Sequence, residues 1–275
     1  MALILAWSLW TGRAYLDLLM YVRPLGADFP HQIMSHFAWE MLPQCGACML
    51  WNGSMNGGSP AFAELQGAIL HPVVALTTLL YGAVNSGKLT VVAGLFFAGL
   101  AQWWLARVMG LGWFARLWAA FVAVAAGHLS GRMENGLSNV VLSIGATSLV
   151  LAPLIDLAIN WRRRAVAWLA ITLALAFMAG QGYMQIALLI GVLPVYLVTL
   201  LVDGRLRFSP EAASFLRGLL LALLLAGVLL APALHFWPQF SKEADLNQKA
   251  AQPLRYLPLN LVIDKLEFYQ SDQLL

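Results

Sequence analysis

Long apolar runs separated by short polar stretches dominate the chain, at 2–22, 89–108, 113–129, 138–160, 165–181, 184–202 and 214–234. Each approaches the roughly 20 residues that a helix needs to cross a hydrocarbon core, so each predicts a transmembrane helix. A shorter run at 70–86, LHPVVALTTLLYGAVNS, is long enough to enter a bilayer and short for crossing it. Against this background stands one polar, turn-rich island, Gly26 to His71. It holds Asp28, Glu40, Glu64, His31, His36, His71 and both cysteines, and no hydrocarbon core accepts it.

Inside the island the pattern changes period. Ile33, Phe37 and Met41 recur at four-residue spacing with Met34 and Ala38 beside them, which predicts an amphipathic surface helix over 29–42. Asp28 ahead of Pro30 predicts its N-cap, and Pro43 predicts its end. A glycine-rich turn, WNGSMNGGSP, follows, and Ser-Pro predicts a second short helix from Pro60 to about Leu70. Cys45 and Cys48 form a CxxC without the second thiolate pair that zinc requires. They read as a local disulfide or as two idle thiols.

Composition fixes the class. The 275 residues are 61% hydrophobic and 11% charged, with mean hydropathy +0.75, whereas soluble domains carry about a quarter charged residues. The net charge of +3 is not gathered into any basic run suited to nucleic acid. MALILAWSLW lacks a charged leader and a small-residue cleavage site, so it reads as an uncleaved first helix. Arginine placement then decides topology. If 70–86 dips and returns, Arg107, Arg116, Arg162, Arg163, Arg164, Arg205, Arg207 and Arg217 all fall on one side. A full crossing from a cytoplasmic N-terminus would instead put Arg162, Arg163, Arg164, Arg205 and Arg207 all outside, against the positive-inside rule. The expectation is therefore an all-α polytopic membrane protein of the inner (plasma) membrane, with about 7 transmembrane helices and a cytoplasmic N-terminus. Residues 1–234 form the membrane domain, with a first outer loop at 23–88 containing a re-entrant or short helix at 70–86. Residues 235–275 form an extracytoplasmic tail or the start of a further C-terminal part.

Polar residues meet this outer face in two more places. His128, Ser130, Arg132, Glu134 and Asn135 separate two spans, and MAGQGYMQ (Met178 to Gln185) contributes Gln181, Tyr183 and Gln185. The first cluster is either a solvated loop with an Arg132–Glu134 ion pair or the second wall of a site, where arginine's planar fork of donors suits phosphate. In the first apolar run Arg13 and Asp17 are four apart, which puts them on one helix face, as a structural ion pair or as part of a transport path.

Three stretches together resemble the GT-C membrane glycosyltransferases, most closely the YfhO-like branch. They are Gly26-Ala-Asp28 followed by a surface helix and LWNGSMNGGSPAFAELQGAILHP, then GHLSGRMENGLSNVVLSIGATSLVLAPLIDLAI, and finally MAGQGYMQIALL. The match covers roughly residues 20–200, the N-terminal membrane half of such proteins. The resemblance implies a transferase that moves a sugar from a polyprenyl phosphate to an acceptor outside the cell membrane. It puts Asp28 in the place of the aspartate that deprotonates the acceptor hydroxyl. A desolvated carboxylate at a membrane edge is suited to that work near neutral pH. Arg132 is then the candidate for the lipid phosphate, and Glu134, His31, Gln32 and His71 line the site. No cofactor is required by the sequence, and a divalent metal is compatible with the class although no close carboxylate pair demands one. Partners implied are the lipid-linked sugar and membrane lipids. Two other readings stand beside this one: a non-catalytic subunit of a larger membrane protein complex, and a small-molecule or lipid transporter.

Overall fold

The computed structural model describes residues 1–19, 26–53, 58–63, 66–160, 163–181, 184, 186–188, 190–191, 194 and 210–236. Ten α-helices are labelled in chain order: α1 (Ala2–Thr11), α2 (Phe29–Ile33), α3 (Phe37–Cys45), α4 (Pro72–Val108), α5 (Trp113–Val124), α6 (Gly127–Glu134), α7 (Ser138–Leu149), α8 (Leu151–Asn160), α9 (Arg163–Met178) and α10 (Pro210–Phe236). Among the described residues four helical stretches are long and apolar enough to cross a membrane: Pro72–Val108, Trp113–Glu134, Ser138–Asn160 and Ser214–Phe236. This is the architecture of an all-α membrane protein. Ala2–Thr11 and Arg164–Met178 are apolar but shorter. The run at 184–202, together with Arg205, Arg207 and the tail beyond Phe236, lies largely outside the described residues.

The helix α4 is two arms. Gly82 has φ 80 and ψ 166, a conformation that L side chains avoid, and the chain reverses there. Residues 74 and 86 of a straight helix would stand about 18 Å apart. Instead Ser86 Oγ donates to the Val74 carbonyl at 3.3 Å, and Thr77 and Ser86 hydroxyls lie 2.8 Å apart. The rings of His71 and Phe97 are 6.1 Å apart. The arm 72–81 therefore lies back along the arm 83–108 as a helical hairpin with its apex at Gly82. Pro72 opens the first arm, where its missing N–H costs nothing, and the His71 ring Nδ1 accepts the Val73 amide at 3.3 Å.

Around the long arm the core is aliphatic and tightly shared. Val91, Val92, Leu95 and Ala98 pack with Tyr15, Val124, Leu129 and Val141. A second core joins Val150, Leu154 and Leu157 to Leu169, Leu173 and Ala222.

Several local expectations are corrected. The first run does not continue as one helix: α1 ends at Gly12, and Arg13–Tyr15 is a single 3₁₀ turn. Arg13 donates to the Trp10 carbonyl at 3.1 Å and stacks on its indole, while the Asp17 carboxylate accepts the Leu19 amide at 3.1 Å. The expected Arg13–Asp17 helical pair is thus replaced by local partners. A buried lysine holds the segment beyond the break. Lys88, 1% exposed, donates to the carbonyls of Asp17 at 2.5 Å and Leu19 at 2.9 Å. Those are acceptors that a continuing helix would use for its own amides.

The surface helix is also divided. Met34–His36 is a 3₁₀ turn between α2 and α3, which shifts the helical phase. Phe29, Ile33, His36 and Ala38 face inward, and Phe37 and Met41, predicted for the apolar face, are exposed. Pro43 lies inside α3, and Gly46, with φ 60, follows its end. The predicted second helix at Pro60 is a two-residue antiparallel bridge, Trp51–Asn52 with Ser59–Pro60, then a 3₁₀ turn at Ala61–Ala63. Ala68, at φ 50, precludes helix beyond it. Cys45 and Cys48 form a disulfide, with Cα atoms 5.7 Å apart.

Candidate functional site at the loop end of the bundle

The first loop docks on the turn between α6 and α7. Gly26 and Gly136 meet there at backbone distance: a Cβ on Gly26 would sit 2.3 Å from the Gly136 nitrogen, and one on Gly136 would sit 2.8 Å from the Phe29 nitrogen. Both glycines have positive φ, 119 and 78. This contact lets the Asp28 amide donate to the Asn135 carbonyl at 3.2 Å. Asp28 stands at the N-cap position of α2, yet its carboxylate makes no capping hydrogen bond, so the predicted cap is one of position only. The side chain is exposed.

Arg132 and Glu134 come from the last turn of α6, immediately before Asn135. They are two residues apart on a helix and so do not face each other, which removes the simple ion-pair reading. Glu134 is exposed and Arg132 half-buried. The Tyr15 hydroxyl donates to the Met133 carbonyl at 2.6 Å and pins this turn to the segment after α1. The hydrogen bond from Asp28 to Asn135 thus brings the Asp28 backbone to the turn that follows Arg132 and Glu134, a seam between loop and bundle.

Gln32 is brought close but is already occupied. Its side-chain oxygen accepts the Asn139 amide at 3.2 Å, and its carbonyl accepts Asn139 Nδ2 at 2.6 Å. The same Nδ2 reaches the Gln66 carbonyl at 3.3 Å, which Gln181 Nε2 also bonds at 3.1 Å. Asn139 therefore ties α2, the 66–71 turn and the start of α7 together, with Gln181 joining through Gln66. Gln32 is a scaffold member of this node. His31 is exposed on α2, and His71 is buried beside Phe97 at the far end of the hairpin arm. His31 stands within one turn of Asp28 at the start of α2, whereas the His71 ring makes no hydrogen bond to Asp28 among the described residues. Tyr183 and Gln185 lie outside the described residues.

Sequence reasoning passed over three residues that organise this end. Glu40 accepts a hydrogen bond from the Ala83 amide and caps the long arm at the hairpin apex. Lys88 holds the segment after α1. His36 is fully buried; the Asn139 side chain and the Gly67 and Ala83 backbone surround its ring, none at hydrogen-bonding geometry among the described residues. Burial pushes its imidazole down to about 4. The polarity of Glu40 and His36 inside an otherwise amphipathic stretch was the available signal. Lys88, opening a run of apolar residues, was the other.

Among the described residues no three His, Cys, Asp or Glu side chains converge as metal ligands do. No protein-family model matches the chain, and no curated protein or solved structure shows significant similarity to it.

Proposed function

We propose that the seam of Asp28, Arg132 and Glu134 is the working site of a membrane-embedded glycosyltransferase of GT-C type, taking its sugar from a polyprenyl phosphate. The observation that carries this reading is the Asp28–Asn135 hydrogen bond. It joins the backbone of an exposed residue whose carboxylate has no capping duty to the turn that follows Arg132 and Glu134. In this reading Asp28 accepts the proton of the acceptor hydroxyl, and Arg132 binds the phosphate that leaves with the lipid. Glu134 orients the acceptor. Seven spans and an outward-facing loop end belong to the same proposal, because they collect the arginines on the cytoplasmic side.

A cavity of about 340 Å³ supports the lipid half of the reading. Thr147, Leu151, Leu154, Ile155, Ala187 and Leu188 line it. It lies along the stretch Ser138–Asn160, whose first turn carries Asn139. The test supplies the purified chain in proteoliposomes with labelled sugar, either on polyprenyl phosphate or on a nucleotide. Transfer from the lipid donor alone supports the proposal. Transfer from the nucleotide donor, or from neither, contradicts it.

A further inference from the structure

We infer that the tip of the first loop, from α3 to the Trp51 bridge, is a rigid anchor seated in the headgroup–acyl boundary of the lipid bilayer. Three independent observations converge on this surface. The first is charge. From Met41 to Ala63 the sequence contains no Asp, Glu, Lys or Arg, although it belongs to the most polar island in the chain. The second is exposure. Phe37, Met41, Leu42, Leu50 and Trp51 are all exposed, Trp51 at 54%. The helix α3 packs against both the 46–50 turn and the Trp51 strand, so these side chains belong to one compact tip, and exposed large apolar groups held together in this way mark an interaction site.

The third observation is depth, and it selects lipid as the occupant. On the hairpin arm 72–81, Leu76, Leu79 and Leu80 are exposed at the i, i+3, i+4 spacing of one helix face, Leu80 at 71%. Such a stripe on a membrane helix faces acyl chains, and it ends at exposed Tyr81, a residue type that marks the membrane–water boundary. Two residues later the Ala83 amide is bonded to Glu40 of α3. That bond fixes α3 at the level where the arm leaves hydrocarbon. Trp51, also suited to the boundary, extends the same level.

The tip is braced for this role. The Cys45–Cys48 disulfide closes the end of α3, Trp51 pairs with Pro60, and the Trp51 indole lies against Gly58. A stiff apolar tip loses little conformational entropy on entering lipid.

The experiment is nitroxide accessibility in full-length chain reconstituted into phosphatidylethanolamine–phosphatidylglycerol vesicles. Labels are placed at Leu42→Cys and Leu50→Cys, with Glu134→Cys as the water reference, in a Cys45→Ser, Cys48→Ser background. Collision with oxygen is expected to exceed collision with a water-soluble nickel chelate several-fold at residues 42 and 50, with the ratio reversed at 134. Equal chelate access at all three positions would overturn the inference. So would protection from both reagents together with dipolar broadening between labels, which would show a second copy covering the tip. Where the serine background does not fold, Trp51→Phe in the native-cysteine chain gives an independent reading. The fluorescence lost with Trp51 is expected to be the part quenched by lipids brominated high on their acyl chains. A lost component insensitive to those lipids overturns the inference.

Discussion

The carboxylate of Glu40 accepts the backbone amide of Ala83, 43 residues away, at the point where α4 reverses. One side chain of the surface loop thereby caps the long membrane arm and holds the loop at the hairpin apex. A charged cap at a helix N-terminus contributes about 1 kcal/mol.

Replacing Glu40 with Ala is therefore expected to destabilise the chain by about 1 kcal/mol, lowering the thermal midpoint by roughly 2–4 °C. Amide hydrogen exchange in detergent would localise the loss to residues 83–86, with the far end of the arm unchanged.

Acid should loosen the loop through His36. Its folded pKa, about 4, lies below the ordinary value near 6.5. Below that ordinary value an unfolded chain takes up a proton that the folded one refuses. The stability from neutral His36 is thus complete above pH ~6.5 and falls away as pH drops toward 4. Thermal midpoints of wild type and His36→Gln, compared at pH 7.5 and pH 4.5, should show a steeper acid loss in the wild type.

Asn139 is expected to be less replaceable than any residue of the seam. Asn139→Ala removes the side-chain donor to the Gln32 carbonyl and one of the two donors to the Gln66 carbonyl, and should cost about 1–3 kcal/mol. Asn139→Asp sets an acceptor against two carbonyls and should be worse than alanine. Chemical unfolding of the two variants in detergent ranks them directly.

Gly136→Ala should act on the site more than on the bundle. The new Cβ meets the Phe29 nitrogen at 2.8 Å, in a backbone conformation with φ 78, and strain of this kind costs about 1–3 kcal/mol. Relief requires the Gly26–Asp28 segment to lift from Asn135. Sugar transfer should fall at least tenfold while helicity, read by circular dichroism, is kept.

The apolar runs were legible because their signal is length alone: 138–160 reappears as Ser138–Asn160, and 214–234 lies within Ser214–Phe236. The reversal within 70–86 was harder. Only Gly82 betrays it, and a lone glycine in an apolar run does not distinguish a reversal from a packing contact. The first helix misled because Leu16, Leu18 and Leu19 prolong its hydropathy, whereas the helix ends at Gly12 and Lys88 claims the carbonyls of Asp17 and Leu19. The phase of the surface helix was lost at Met34–His36, where a 3₁₀ turn advances each residue by more than an α-helix does. Asp28, Arg132 and Glu134 were readable as polar residues bordering apolar runs. The docking of the Asp28 backbone on Asn135 depends on the Gly26–Gly136 contact, which no periodicity encodes.

The most direct test of the central claim is sugar transfer by Asp28→Asn in proteoliposomes, measured beside wild type and Glu134→Gln. The asparagine keeps the size and the exposed position of Asp28, so folding should be unchanged. Transfer from polyprenyl-phosphate sugar is expected to fall by about a hundredfold or more, the usual contribution of a positioned base, with a smaller loss for Glu134→Gln. Turnover equal to wild type in Asp28→Asn would contradict the account.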